Sequence, residues 1–536
     1  MAISKKSINL LITALLIAYA SFAQQNNLFN IKDYGAVGDS STYEQSAIQK
    51  AIDVCFEAGG GRVYFPPGKY TTGTIVLKSN VDLHLEAGAI LQASRDTNHY
   101  KNDFIIYKKN DSGKTGDGAT PVLIYANNAE NISITGKGKI HGQASRTYED
   151  LRSVDGFIAE ETENARQSGV EMKMYYKIPP YTCMVFLEEC KFVTIRDVSM
   201  IESTDWTLHF KWCENVFVEG VYIFSSLEQG VNADGIDVDG SKNVTISNCI
   251  IETGDDAIVL KTTQTFGEAR PCENVTVTNC VLSSTSTGLK LGTESFADFR
   301  FITFNNCVIR DSNRGLSIVI RDGATAENIL FSDITLNCDR KHFNWWGNGD
   351  PIWLVVKKRS ADSKIGHIKN VTFRNIQAVG QGTSKLEGFP GHPISNIKLS
   401  QVSLTMEAED KPDKRATHAF EAQNVTGLQL DDVQVNWDDS KGIEKDWQYN
   451  LHFKDVTQLY IRNFMGAPIQ DNTLVHLENV QDAFLNNLFG ALPNKNPFVS
   501  ISGKNSKRIS VDDINEDAPE NAISAGAEVD ESEVDY

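Results

Sequence analysis

The chain has 536 residues, a formal net charge of −19 and nine cysteines. This length allows three or four ordinary domains or one long body built from repeats. The negative charge argues against nucleic acid or an anionic membrane as a partner, because both require a concentrated basic surface. An acidic sugar is not excluded, since it needs only a local basic patch.

The N-terminus has the features of a secretory signal peptide. Lys5 and Lys6 precede an apolar run from Ile8 to Phe22 that is too short to span a bilayer comfortably. The small residues Ser21 and Ala23 end this run. We therefore predict that residues 1–23 are removed, and that the mature chain is periplasmic or extracellular and has no membrane-inserted segment.

The next two predicted elements are a helix and a series of repeats. Tyr43 to Ala58 has apolar residues at helical spacing. After it, a polar residue, often Asn, recurs before a short alternating apolar strand, at intervals of mostly about 24 to 31 residues. The clearest copies start at Asn215, Asn243, Asn274, Asn328, Asn370 and Asn396.

This period and the short β-rich runs predict an all-β fold, a single-stranded right-handed parallel β-helix that spans residues 24–515. An Asn at the same turn of successive coils would form a ladder of side-chain amides. The helix at Tyr43 to Ala58 would cap the open edge of the first coil. Cys249, Cys280 and Cys307 occupy equivalent positions, which favours stacked free thiols over disulfides.

A second set of strands lies between the repeat marks. Residues 234–240, 256–262, 287–293 and 314–320 align so that two columns of each are apolar and must point into the core. The alternate positions then bring Asp237, Lys290 and Ser317 into one outer column, with Asp239 and Lys261 in the next. Because parallel strands stack about 4.8 Å apart, Asp234 and Asp256 would be near neighbours.

The sequence around these two acids is Asn232–Asp237, followed about 21 residues after Asp234 by Gly254–Asp256. Either short motif alone is an ordinary turn former. Converging outside one sheet, however, Asp234, Asp255 and Asp256 could protonate a glycosidic oxygen and activate a water, so they predict a sugar hydrolase.

Two later segments complete the pattern. The long gap between Asn328 and Asn370 predicts a loop whose Trp345 and Trp346 either stack on a sugar or cap the sheet as local core. Residues 516–536 are acidic and poor in large apolar side chains, which predicts a disordered, solvated tail.

With these motifs, the chain from about Asn30 to Val379 resembles glycoside hydrolase family 28, the polygalacturonases and rhamnogalacturonan hydrolases. The opening Asp33–Asp39 and the run Gly59–Gly68 look like the start of secreted pectin-active β-helices. The family's Asn-Thr-Asp and Gly-Asp-Asp motifs correspond to Asn232–Asp234 and Gly254–Asp256.

The resemblance implies roles for these residues. Asp255 would be the general acid, and Asp234 and Asp256 would position and deprotonate the attacking water, with inversion at the anomeric carbon. Asn232 would belong to the substrate-binding set.

The chain departs from the family at two supporting motifs. The family's Gly-His-Gly falls on Ser286–Gly288, and its Arg-Ile-Lys falls on Ser317–Val319. Lys261, Lys290 and Arg321 could supply the missing cations, and Asp237 lies in the same outer columns. Alternatively, Asp239 with Lys261, and Glu294 with Arg321, are ion pairs that only hold the coils in register.

We expect a monomeric, exo-acting hydrolase of a pectic polysaccharide or oligosaccharide, with no cofactor and no metal. Two other functions remain open. One is a polysaccharide lyase, which needs an acidic calcium site and a Lys or Arg base. The other is a non-catalytic carbohydrate-binding solenoid.

Overall fold

The computed structural model describes residues 27–100, 121–150, 156–170, 175–341, 347–491, 496–514 and 522–535. Within these ranges, helix α1 is Gln45–Glu57 and helix α2 is Gly156–Gln167, and almost all the other regular structure is strand. Neither of the described helices is long and apolar enough to cross a bilayer.

The strands are numbered along the chain. Strands β1 to β12 are Leu28–Asn30, Asp39–Tyr43, Gly61–Phe65, Gly68–Thr72, Ile75–Val76, Val81–Leu85, Ala89–Ala93, Val122–Asn127, Glu130–Gly136, Lys139–His141, Tyr148–Asp150 and Tyr175–Lys177. Strands β13 to β28 are Cys183–Glu188, Lys191–Arg196, Ser199–Ile201, Leu208–Lys211, Glu214–Glu219, Tyr222–Phe224, Ile236–Asp239, Lys242–Ser247, Ile250–Thr253, Ile258–Thr262, Cys272–Thr278, Val281–Ser284, Thr287–Ser295, Phe299–Asn305, Val308–Ser312 and Arg314–Ile320. Strands β29 to β41 are Thr325–Cys338, Asp350–Val356, His367–Gly380, Ser384–Glu387, Ile394–Glu407, His418–Asp438, Tyr449–Gly466, Val475–Glu478, Gln481–Gly490, Val499–Ser502, Lys507–Ile514, Ile523–Ala525 and Val534–Asp535.

Parallel pairing between successive coils sorts these strands into three long sheets. Sheet 1 follows the asparagine turns and contains β14, β17, β20, β23 and β26. Sheet 2 contains β15, β18, β21, β24 and β27. Sheet 3 contains β13, β16, β19, β22, β25, β28, β30 and β32, and continues through the first residues of β34 and β35 to β36, β38 and β40. The predicted parallel β-helix is confirmed.

The core lies between the three sheets, because every second side chain of each strand points inward. Inward residues of one coil stack on those of the next. Phe304, Phe331 and Phe373 form such a stack, with ring centroids 5.0 Å apart at each step. Only stacking closes this core, since a single coil leaves its backbone edges and its apolar face open.

The predicted amide ladder is also present. The Asn243 side chain donates to Asn215 Oδ1 at 3.1 Å, and the Asn274 side chain donates to Asn243 Oδ1 at 3.0 Å. All three residues have φ near +60°, the left-handed region that Asn tolerates better than most residues. The ladder therefore satisfies the turn polar groups and fixes the bend into sheet 1.

The predicted cysteine state and capping helix are confirmed as well. All nine cysteines are free and buried. Helix α1 matches the predicted cap at Tyr43 to Ala58, and its Ile48, Ile52 and Cys55 are fully buried against the first coil.

The C-terminal end differs from the sequence-based expectation. In the described part of the predicted tail, Ile523–Ala525 pairs with β38 and Val534–Asp535 pairs with β39. Ala522 and Val529 are buried there. For residues 522–535 the prediction of a disordered tail is wrong, because sparse apolar residues suffice when a preformed sheet edge accepts the backbone.

One insertion interrupts the coils before the predicted acidic motifs. Between β10 and β13, helix α2 and the antiparallel hairpin of β11 and β12 project from the stack. This hairpin reaches the outer face of sheet 3, where the acids lie.

Candidate active site

The acids stand at the entrances of two neighbouring strands of sheet 3. Ile236 pairs with Ile258, which pairs with Leu289, which pairs with Leu316, so the predicted register is confirmed. Asp234 lies two residues before Ile236, and Asp256 two residues before Ile258. The Gly235 amide donates to the Asp256 carbonyl at 2.9 Å, so the two turns are joined directly.

Asp234, Asp255 and Asp256 converge. One carboxylate oxygen from each lies within 4.8 Å of the other two. Asp255 is fixed by the backbone, because Asn232 N donates to its Oδ2 at 3.2 Å and Asp256 N donates to its Oδ1 at 2.9 Å. Asn232 is itself exposed, with φ of 60°, and marks the mouth of the site.

Asp256 accepts hydrogen bonds from two donors. Lys290 Nζ donates to Oδ2 at 2.6 Å, and Ser286 Oγ donates to Oδ1 at 2.7 Å. Ser286 occupies the position of the family's missing Gly-His-Gly motif, so a hydroxyl bonds an acid there. The Lys290 side chain is 13% exposed, which makes it the cation most open to a bound molecule among those contacting the three acids.

Lys261 lies between acids of adjacent coils. Its Nζ is 3.4 Å from Asp234 Oδ2, 3.8 Å from Asp237 Oδ1 and 3.4 Å from Glu294 Oε2. The same ammonium sits 4.6 Å from the ring centre of Trp206. The alternative in which Lys261 only pairs with Asp239 is not what the structure shows, since Lys261 contacts Asp234, Asp237 and Glu294 and Asp239 has other partners.

Those partners form a closed cluster behind the site. Asp239 lies 3.1 Å from His209 Nε2 and 3.8 Å from Lys211 Nζ, and all three side chains are fully buried. Lys211 and His209 lower the pKa of Asp239, although burial opposes them. We assign this cluster a packing role, because none of its members is accessible to a sugar.

Asp237 lies in the predicted outer column but is fully buried, and neither of its side-chain oxygens has a hydrogen-bond partner. Burial, with Asp234 nearby, raises its pKa well above the usual range. Asp237 therefore lies beneath the site with a raised pKa, and substrate cannot reach it without rearrangement.

Arg321 lies near a second group of charged residues, which consists of Glu294, Asp322 and Arg359. The alternative pair of Glu294 with Arg321 is replaced by Arg359, which lies 3.6 Å from Glu294 and 2.7 Å from Asp322. Arg321 Nε is buried without a hydrogen-bond partner. Trp345 and Trp346 lie outside the described residues.

Two cations escaped the sequence analysis. Lys177, at the end of the β12 hairpin strand, donates to the carbonyl oxygens of Thr204 and Val231, and Asp255 and Asp234 are close enough to act on its charge. Arg314 stacks 3.5 Å from the centre of the Trp353 ring and pairs with Asp350 at 2.9 Å. The insertion brings Lys177 here, which no spacing in the sequence could have shown, whereas Arg314 lies in register with Thr287, so the strand alignment already placed it and only its role was missed.

The three acids differ in electrostatics. Burial, with Asp234 and Asp256 nearby, raises the pKa of Asp255 well above its usual range. Burial raises the pKa of Asp234 to about 6, although Lys261 opposes the shift. An acid with a raised pKa, Asp255, beside an acid bonded by a lysine, Asp256, is an arrangement suited to a general acid and a general base.

The same three carboxylates could hold a divalent cation. Lys261 and Lys290 already contact two of them, so the negative charge is balanced by the protein's own side chains.

Comparisons with known proteins agree with this geometry. A sequence profile described as "Glycosyl hydrolases family 28" matches residues 61–426. The chain is 25% identical over 415 residues to a probable polygalacturonase of Vitis vinifera, across 74% of this chain and 78% of that protein. It is 30% identical over 255 residues to an exo-poly-alpha-D-galacturonosidase of Dickeya chrysanthemi, across 43% of this chain and 41% of that protein.

Solved structures show the same fold. An exopolygalacturonase from Thermotoga maritima superposes with a TM-score of 0.60 at 22% identity, over 76% of this chain and 91% of that one. A family 28 exopolygalacturonase from Yersinia enterocolitica gives a TM-score of 0.59 at 19% identity, over 82% and 79% of the two chains. Because the family profile matches more than half of the residues, this chain belongs to glycosyl hydrolase family 28 and is a glycoside hydrolase.

Proposed function

We propose that the protein is an exported, inverting hydrolase that releases uronic-acid units from the ends of a pectic polysaccharide or oligosaccharide. The observation that carries the proposal is the convergence of Asp234, Asp255 and Asp256 within 4.8 Å, with Lys290 bonded to Asp256. Polygalacturonase relatives support the substrate class.

Each acid has a distinct part in the proposed reaction. Protonated Asp255 donates its proton to the glycosidic oxygen as the bond to the anomeric carbon breaks. Asp256 and Asp234 orient a water on the other side of that carbon and accept its proton. Lys290 and Lys261 keep these two carboxylates available as bases.

An acidic sugar fits the charge around the triad. Lys290 pairs in register with Ser317, the first position of the family's missing Arg-Ile-Lys, so a cation remains one coil away from its usual place. Asn232, Lys290 and Arg321 are the residues of the predicted binding set that a uronate carboxylate or hydroxyl would reach first. In this proposal Lys261 affects the reaction through its contact with Asp234. Asp237 in turn affects it through its contact with Lys261.

Exo action is supported by the insertion. Lys177 of the antiparallel β11–β12 pair lies against the turns that carry the acids. A strand pair in this position would close one end of a substrate cleft. A relative named as an endo-polygalacturonase also matches, so the reaction products must distinguish exo from endo action. An exo enzyme releases monosaccharide or one short product from the first time point, whereas an endo enzyme releases a range of oligomers.

The experiment is a screen of purified protein against defined pectic oligosaccharides, with the released anomer followed by proton NMR. Inversion is expected from the family resemblance. The three acids are closer together than the roughly 6.5–9.5 Å of typical two-carboxylate inverting enzymes, so the anomer is a demanding test. A retained anomer would overturn the proposed mechanism.

A polysaccharide lyase is the second candidate, because the triad could hold calcium and Lys261 or Lys290 could abstract a proton. A lyase forms an unsaturated uronate that absorbs in the ultraviolet. Products without that absorbance, formed in the presence of a chelator, exclude this alternative.

A further inference from the structure

Sheet 3 carries a second cluster of polar side chains far from the acids. In the column that contains Lys290, the register runs through Ser317, Trp353, Lys385 and Glu421 to His452, then to His476 and Ser500. His452 is thus five coils from Lys290, or about 24 Å at about 4.8 Å per coil. The cluster cannot share a bound sugar ring with the triad.

His452, His476 and Glu478 converge as metal ligands would. One donor atom from each lies within 4.8 Å of the other two. His452 Nε2 is 3.9 Å from Glu478 Oε2, and His452 Nδ1 is 3.8 Å from Glu421 Oε1. These gaps exceed hydrogen-bond distances. They are close to the separation of two ligands that share one ion at about 2.0–2.2 Å.

The histidine nitrogens point to a missing partner. His452 is 9% exposed, and its Nδ1 is buried without a hydrogen bond. The neighbouring His418 ring lies 4.5 Å from the His452 ring and also has a buried, unbonded Nδ1. Unsatisfied buried polar atoms are rare in proteins, so the two nitrogens show that hydrogen bonding within this histidine cluster is incomplete.

His476 is oriented as a metal ligand usually is. Its Nδ1 lies 2.6 Å from Ser500 Oγ, and its Nε2 lies 3.2 Å from Ser502 Oγ. In the tautomer that donates from Nδ1 to Ser500, Nε2 accepts from the Ser502 hydroxyl, and an ion would take this lone pair in place of that hydroxyl while Ser500 fixes the ring. Lys454 holds Glu478 Oε1 at 2.8 Å and leaves Oε2 facing the histidines.

We infer that His452, through Nε2, together with His476 and Glu478 binds a divalent transition-metal ion of the zinc type, with water completing the coordination; Glu421 faces Nδ1 on the other side of the His452 ring. Two imidazoles and a carboxylate suit zinc better than calcium or magnesium, which prefer oxygen ligands. The ion would join β35 to β36 on the outer face and hold the C-terminal coils together. This site could not be predicted from the sequence, because its two histidines lie 24 residues apart and form no short metal-binding motif.

Zinc titration of the chelator-treated full chain tests the inference. We expect about one strongly bound zinc per chain, and a thermal midpoint that rises with zinc because binding favours the folded state. His452→Gln and His476→Gln should each weaken binding by about 10-fold or more. His367→Gln is the matched control, since His367 contacts Ser395 on a distant part of the stack, and it should bind zinc like the wild type.

Asp255→Asn separates this site from the acid triad. Zinc binding that is lost in Asp255→Asn but kept in the two histidine variants would overturn the inference, as would the absence of zinc binding. X-ray absorption of the zinc-loaded wild type needs no variant. Imidazole scattering around zinc supports the site, and a shell of oxygen ligands alone contradicts it.

Discussion

The asparagine turns before sheet 1 and the acidic turns before sheet 3 carry similar polar residues at similar positions. The two sets differ in how far their side chains are buried and hydrogen-bonded. In the asparagine turns, exposed amides donate to the preceding coil, as Asn243 donates to Asn215. In the acidic turns, Asp234, Asp255 and Asp256 are almost completely buried, and Asp234 Oδ1 has no hydrogen-bond partner.

This difference shows that one set of turns stabilises the stack, whereas the other set serves the chemistry of the site. A satisfied, solvated ladder stabilises the stack at low electrostatic cost. A buried group of like charges destabilises it, but it shifts pKa values into the range that proton transfer needs. Burial of like charges, rather than residue type, therefore distinguishes the acidic turns from the asparagine turns.

The largest effect is expected from Asp255→Asn, which removes the proposed proton donor without changing size. We expect kcat to fall by about 10²- to 10⁴-fold with substrate binding retained, measured by steady-state kinetics and by calorimetry with oligosaccharide.

The matched control is Asp333→Asn, because Asp333 is a turn residue that bonds Asn375 at 2.8 Å where other coils carry Asn. Its activity should stay within a factor of two to three. Full turnover by Asp255→Asn would mean that the triad is only a turn, as in a non-catalytic solenoid.

Lys261→Met should change the pH dependence. Lys261 opposes the burial that raises the pKa of Asp234 to about 6, so removing the ammonium raises that pKa further, by about 1 unit or more. Because Asp234 must be ionised to accept a proton, the acidic limb of kcat/KM should move to higher pH.

The pH profile of Lys261→Arg serves as the comparison, since Arg keeps the charge. An acidic limb that stays in place in Lys261→Met would show that Asp234 does not set it.

Asp237→Asn should stabilise the protein above neutral pH. The folded-state pKa of Asp237 is raised above its ordinary value of 3.8. The folded state then keeps a proton that the unfolded chain has lost, which costs stability as pH rises above about 4. We expect a gain of about 1–3 kcal/mol at pH 8 that shrinks toward pH 4, measured by denaturant unfolding at both values.

Asp333→Asn, scanned in the same way, should change stability by less than about 0.5 kcal/mol at either pH. If Asp237→Asn destabilised the protein equally at both pH values, Asp237 would be an ionised structural residue.

The smallest effect is expected in the asparagine ladder. Asn243→Ala removes two amide bonds and places Ala at a φ of 57°, which should cost about 1–2 kcal/mol without altering kcat. Asn243→Gly keeps the turn and loses only the bonds, so it should cost less. Equal losses in both variants would assign the whole effect to the side-chain ladder.

Part of the site could be predicted from the sequence because the coils repeat. Once Ile236, Ile258, Leu289 and Leu316 are placed in one inward column, the positions of Asp234 and Asp256 follow from the strand geometry. The ion pairs could not be predicted in this way. Several acids on adjacent coils lie within reach of the Lys261 side chain. In the structure it contacts Asp234, Asp237 and Glu294 rather than Asp239.

The sequence by itself determined the β-helix, its register, the amide ladder and the meeting of three aspartates, since all of these depend on a local period that each coil repeats. Only the tertiary structure decided that Lys177 lies over the acids, that Asp237 is buried, that residues 522–535 extend the stack, and that His452 meets His476 and Glu478. These features depend on how insertions and distant coils pack, and no local pattern encodes that packing.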